Sequence, residues 1–171
     1  MPGLFDPDLL DALEEACRGP WEGTVWRAVI GSTEPLRTNL RGGRWNPSGV
    51  EVLYCSLSED GAKAELAAVI GRESIPITKA VKTFSLSVRL SRICYLLDDT
   101  PDLEAVGITR DSMISDVWNL PQMIGEAVEW MGVAGLVVPS ARHEDGNLVI
   151  LVNKLDLGDF FEEEQGDLDR N

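Results

Sequence analysis

Arg27, Arg44, Tyr54, Glu65 and Ser140 carry chemistry that their local sequence does not need. Arg27 lies in "TVWRAVI" (24–30), where a strand would place it between Val25 and Val29 on one apolar face. An unpaired guanidinium there is costly to bury, so it calls for an anion: a carboxylate in an ion pair or the phosphate of a ligand. Arg44 and Trp45 sit at the tip of "GGRWNPSG" (42–49). Asn46, Pro47 and Gly49 suffice to reverse a chain, so a cation beside a large aromatic points to something bound. Glu65, in "GAKAELAAVI" (61–70), has Ala62, Ala68 and Val69 within a helical turn. Its carboxylate either shares a solvated face with Lys63 or is held next to a substrate. The ring of Tyr54 fills core or stacks on a base. Ser140 ends "VVPS" and opens a loop containing Arg142, His143 and Asn147, where a hydroxyl serves as a turn cap or is aimed at a ligand.

The elements that would position these residues are legible in the pattern. In "DPDLLDALEEACRGP" Asp6 caps and Pro7 starts an amphipathic helix that Gly19 and Pro20 stop. "TVWRAVI" and "EVLYCS" (51–56) read as strands, separated by a polar loop long enough to suggest function. Ser56 and Glu59 have capping-box spacing for a helix that carries Glu65. "VKTFSLSVRL" (81–90) alternates as a strand and "RICYLL" (92–97) follows as another. Residues 101–118 suggest short helices, with Asp98 and Asp99 as a cap. Leu120, Met123, Ile124, Ala127, Val128 and Met131 then form one helical face. "VAGLVVPS" (133–140) and "NLVILVN" (147–153) close the unit as buried strands, and residues 161–171 read as a frayed acidic tail.

Composition narrows the function. The 171 residues suit a single core, and 29 acidic against 15 basic residues give a net charge of −14. Such a surface repels phosphate backbones, so no direct nucleic-acid binding is expected and any anion site must be local. Cys17, Cys55 and Cys94 are scattered among apolar neighbours and read as reduced thiols. The acidic N-terminal helix does not look like a signal peptide, and no apolar run is long enough for a bilayer, so a soluble cytoplasmic protein away from membranes is expected. One histidine argues against a Ser-His-Asp triad, and together with three isolated cysteines it makes no metal site. Neither a P-loop nor a Rossmann glycine pattern occurs.

Taken in order, "WRAV", "GGRWNPSGVEVLYCS", "AELAA" and "VVPSAR" resemble the RES domain, over about Trp26 to Asn153. The resemblance implies an α+β domain with a mixed β-sheet core, similar to ADP-ribosyltransferases and flanked by helices. Its parts would be an N-terminal helical segment (1–22), the RES domain (23–160) and the acidic tail (161–171). It also implies a toxin that consumes NAD as substrate, by hydrolysis, phosphorolysis or ADP-ribosyl transfer, with an Xre-type helix-turn-helix antitoxin as partner and no metal or further cofactor. The implied catalytic residues are Glu65, Arg27, Tyr54 and Ser140; Arg44, Trp45, Tyr54 and Asn147 are the implied substrate contacts. A catalytically silent nucleotide- or partner-binding module is the competing reading, and monomer or homodimer is left open.

Overall fold

The computed structural model describes residues 4–76, 78 and 80–164. Helix α1 (Pro7–Ala16) begins as its sequence dictates: Asp6 Oδ1 accepts the Asp8 N–H at 2.8 Å, and Leu9, Ala12 and Leu13 are buried. A two-residue strand, β1 (Cys17–Arg18), leads to β2 (Trp21–Ile30), which starts upstream of the expected strand. Next come β3 (Val52–Ser56) and α2 (Glu59–Glu73). The cap of α2 is Ser58, whose side chain accepts the Gly61 N–H at 3.0 Å, and not Ser56, which ends β3 paired to Trp26 and Asn147.

β4 (Val81–Leu90) coincides with the alternating run, and β5 (Ile93–Tyr95) follows it. The short helices α3 (Pro101–Ala105) and α4 (Arg110–Ile114) appear as expected, although α3 is capped by Thr100, which accepts the Leu103 N–H, and not by Asp98 or Asp99. Then come α5 (Asn119–Trp130), β6 (Gly135–Val138), β7 (Asn147–Leu151) and β8 (Phe160–Glu163). β8 pairs with β4 from Arg89↔Phe160 to Leu86↔Glu163, so the acidic segment is ordered through Glu163 and does not fray from residue 161. The rest of the expected tail, residues 165–171, lies outside the described residues.

The strands form one mixed sheet in the order β1-β5-β6-β7-β3-β2-β4-β8, with β5 and β6 parallel and the other described pairs antiparallel. β2 and β4 pair over their whole length, from Trp21↔Leu90 to Ile30↔Val81, whereas β2 and β3 share only Trp26↔Ser56. The sheet therefore bends at β2–β3 and closes over itself. Leu90 of β4 lies against Gly135 of β6, where an added Cβ would be 2.6 Å from Leu90 Cδ1, although three strands separate the two in sheet order.

Alternation along each strand sorts side chains into two cores. Inside the bend, Val25, Leu53, Cys55, Leu86, Val88, Val137, Leu148 and Ile150 pack together. On the other face Val52, Leu136, Val138, Val149 and Leu151 meet Leu13 of α1, Leu103 of α3, Met113 of α4 and Ile124, Ala127 and Val128 of α5. The α5 face differs from the expected one at Met123, which is 40% exposed. Gly125 is buried instead, because α5 approaches the Trp45 backbone so closely that a Cβ at this position would stand 1.7 Å from the Trp45 carbonyl oxygen.

Candidate active site

The loop between β2 and β3 is organised by Asn46, which is fully buried. Its Nδ2 donates to Val50 O at 2.7 Å and Asn39 O at 3.3 Å, and its Oδ1 accepts the Tyr54 hydroxyl at 2.5 Å. The Tyr54 oxygen in turn accepts the Trp45 N–H at 3.0 Å, and Gln122 of α5 donates to Gly43 O at 2.9 Å. Gly42 supplies the positive φ, 111°, that lets the chain turn into this knot. These linked hydrogen bonds hold the loop in one conformation, although the buried Trp45 Nε1 has no partner among the described residues.

This arrangement corrects the expectation for Trp45. Its indole is 2% exposed, packed with α5 and the helical core, and it does not line the cleft. The aromatic at the loop tip anchors the loop while its neighbour Arg44 faces the cleft. Tyr54 does line the cleft, but its hydroxyl is tied into the knot; burial raises its pKa, against the opposing effect of its Trp45 and Asn46 contacts and of Arg44. It lies within β3, with Val149 opposite, and not at the strand end.

Glu65, Ser140 and Asn147 converge. Ser140 Oγ donates to Glu65 Oε1 at 2.5 Å, and Asn147 Nδ2 donates to the same oxygen at 3.0 Å. The direction of the first bond is set by Ser140's surroundings, because its oxygen also accepts the backbone N–H groups of Arg142 at 3.0 Å and His143 at 3.1 Å. Both ends of Ser140 are thereby occupied and it is 3% exposed, so its hydroxyl orients the carboxylate and is not available as a nucleophile. Both donors use Oε1, which leaves Oε2 of Glu65 available to a ligand. Asn147 Oδ1 is buried with no partner among the described residues, an acceptor directly beside the carboxylate.

Around this carboxylate lies an open cleft of about 440 Å³, walled by β2, β3, α2 and the two loops. Such a volume is in the range of small-molecule sites. Its lining includes five arginines, Arg27, Arg37, Arg44, Arg72 and Arg142, against two acids, Glu65 and Glu73. None of the five forms an ion pair with a described residue. On a chain of net charge −14 this is a local basic basin.

Arg27 sits between Val25 and Val29, both buried, as its spacing implies, yet it has no carboxylate partner among the described residues. Nε donates to Pro35 O at 3.0 Å, Nη1 to Tyr54 O at 2.6 Å and Nη2 to Arg37 O at 3.4 Å. The Tyr54 carbonyl is free for it because the β2–β3 ladder has parted there. Carbonyls satisfy part of the fork without neutralising its charge, and burial lowers its pKa. Arg44 Nη1 donates to Met113 O and Ser115 O at the end of α4, and its guanidinium faces the Trp118 ring at 5.6 Å. Arg72 faces the same ring at 5.3 Å. Burial lowers the Arg44 pKa; Glu65 and Asp116 oppose this, while Arg142 and Arg72 add to it.

The sequence reading missed Asn46 as organiser, Gln122 as its brace and Arg37 and Arg72 as cleft cations. Arg72 had a visible signal: it follows Glu65 by seven residues, two turns along one face of α2. Among the described residues no group of three or more His, Cys, Asp and Glu gathers as metal ligands, and no helix is long and apolar enough to cross a membrane.

The RES domain model matches residues 24–170. The chain belongs to the RES domain family. RES relatives of known activity include the NAD(+) phosphorylase MbcT of Mycobacterium tuberculosis and of Mycobacterium bovis, each 33% identical over 151 residues, spanning 82% of this chain and 80% of the relative. The crystal structure of the M. tuberculosis MbcT-MbcA toxin-antitoxin complex has the same fold, with a TM-score of 0.73 at 20% identity over 94% of this chain and 91% of that one. The RES family thus supplies the α+β architecture seen here, with its eight-stranded mixed sheet.

Proposed function

We propose that this chain cleaves the bond between nicotinamide and ribose in NAD and passes the ADP-ribosyl group to inorganic phosphate or water. The observation that carries the reading is Glu65, held by Ser140 and Asn147 with one oxygen left over, at the wall of a cleft lined by five arginines. Likeness to an enzyme named NAD(+) phosphorylase at 33% identity supports it and favours phosphate as acceptor.

The residues divide the work by charge. Breaking the glycosidic bond develops positive charge on the ribose in an oxocarbenium-like transition state. Glu65, pre-oriented by two donors, opposes that charge without having to reorganise, an effect of about 3–4 kcal/mol in comparable sites. Arg27 and Arg44, each with guanidinium donors left after its carbonyl bonds, meet the diphosphate. The Tyr54 ring stacks on the nicotinamide, with its hydroxyl held out of the reaction, and Asn147, in the cleft wall, keeps Glu65 in place beside the substrate. Residues 23–160 carry the catalytic machinery, with α1 (Pro7–Ala16) packed on the helical core beside it.

Such an enzyme drains a central metabolite, so its setting is a cytoplasmic toxin and an antitoxin of the Xre helix-turn-helix type that covers the cleft. The structural likeness to the MbcT-MbcA toxin-antitoxin complex and the basic cleft on an acidic surface support this. The test is to incubate purified protein with NAD, with and without phosphate, and weigh the products. ADP-ribose 1″-phosphate or ADP-ribose is expected; intact NAD rejects the reading, and ADP-ribosylated protein replaces it with group transfer to a macromolecule.

A further inference from the structure

Five arginines are more than one NAD diphosphate, with two negative charges, requires, and they are not equivalent. Arg27 and Arg44 are committed to backbone carbonyls, and Arg44 and Arg72 flank Trp118. Arg72 lies two turns along α2 from Glu65, about 10 Å at the helical rise, so it serves the end of the cleft remote from the reacting carbon.

Arg142 differs from these. Its backbone N–H is fixed to Ser140 Oγ, the same atom that bonds Glu65, so the base of its side chain is tied to the carboxylate. Its side chain lines the cleft, is exposed, and makes no hydrogen bond or ion pair with a described residue. It shares the cleft wall with Arg44, and its positive charge adds to burial in lowering the Arg44 pKa, an effect that an anion bound in the cleft opposes.

Resting on the phosphorolysis reading, we infer that Arg142 holds the acceptor phosphate beside the reacting ribose carbon and thereby decides between phosphorolysis and hydrolysis. An oxygen of HPO₄²⁻ donates a lone pair to C1″ as the bond from C1″ to the pyridinium nitrogen breaks. The electron pair of that bond goes to the ring nitrogen, nicotinamide leaves neutral, and the phosphate proton stays on another oxygen. No base is needed, so Glu65 serves by its charge alone. Water, by contrast, has to lose a proton during its attack, so fixing a phosphate dianion at this point favours the phosphate ester.

The experiment is Arg142→Gln assayed with NAD and inorganic phosphate, the two products being separated by mass. A KM for phosphate raised about tenfold or more is expected, with the KM for NAD within about twofold of the parent. The ratio of ADP-ribose 1″-phosphate to ADP-ribose at fixed phosphate should fall in proportion. That ratio is internal to each active molecule, so partial misfolding does not alter it. An unchanged ratio and phosphate KM overturn the Arg142 site, as does an equal rise in both KM values, which assigns Arg142 to NAD. A parent enzyme that makes only ADP-ribose in the presence of phosphate overturns phosphorolysis and the site together.

Discussion

Ser140 gives its only proton to Glu65 at 2.5 Å while its oxygen takes the N–H groups of Arg142 and His143. One buried hydroxyl thus joins the carboxylate of α2 to the loop after β6. Under the proposed function Glu65 is the working anion and Ser140 the donor that holds it, so the two should fail differently on substitution.

Glu65→Gln keeps the size and removes the charge. Turnover of NAD should fall at least about 100-fold, with the melting temperature and NAD binding little changed. Initial rates within about threefold of the parent remove Glu65 from the chemistry.

Ser140→Ala deletes the donor to Glu65 and strands two N–H groups. A loss of stability of about 1–3 kcal/mol is expected, together with a fall of about tenfold in kcat that exceeds any change in KM. Chemical denaturation and steady-state kinetics measure the two effects separately; an unchanged kcat in folded protein denies the positioning role.

Arg44→Ala and Arg27→Ala should weaken binding of NAD more than that of adenosine, because the lost contact is to the diphosphate. Calorimetry with both ligands makes the comparison. Equal losses for the two ligands mean that these arginines only shape the loop.

Asn46→Ala leaves the Tyr54 hydroxyl and the Val50 and Asn39 carbonyls without the partner that joins them. A cost of about 3 kcal/mol is expected, or about 6–12 °C in melting temperature for a domain of this size. A drop of under about 2 °C shows that the knot does not hold the loop.

Stability should decline in alkali. Burial pushes the Cys55 thiol up from 9.0 to about 12 and raises the Tyr54 phenol as well. Between pH 9 and 12 the folded chain keeps protons that the unfolded chain releases, so this contribution is whole below pH 9 and is lost as pH rises. Urea midpoints measured from pH 8 upward should fall above pH 9, and less steeply in Cys55→Ala; parallel curves for the two proteins reject Cys55 as a source.

Local physics made much of this protein legible in its sequence. Asp6 and Pro7 dictate the start of α1, the alternation of residues 81–90 is β4 itself, and the Val25-Arg27-Val29 spacing puts a guanidinium on a buried face because strand geometry leaves no other choice. Glu65 on a helix face of small residues was equally readable. The tertiary structure decided what depends on partners far along the chain. Trp45 looked like a ligand contact until Gly125 of α5, eighty residues away, let a helix close over it. Which donors meet Glu65 depended on β7 and the loop after β6 packing beside α2, and Arg72 and Arg142 became cleft cations only through that closure. Strand and helix periods report which face a residue occupies; what stands opposite that face is set by the bend between β2 and β3, where the ladder parts after one pair and opens the cleft.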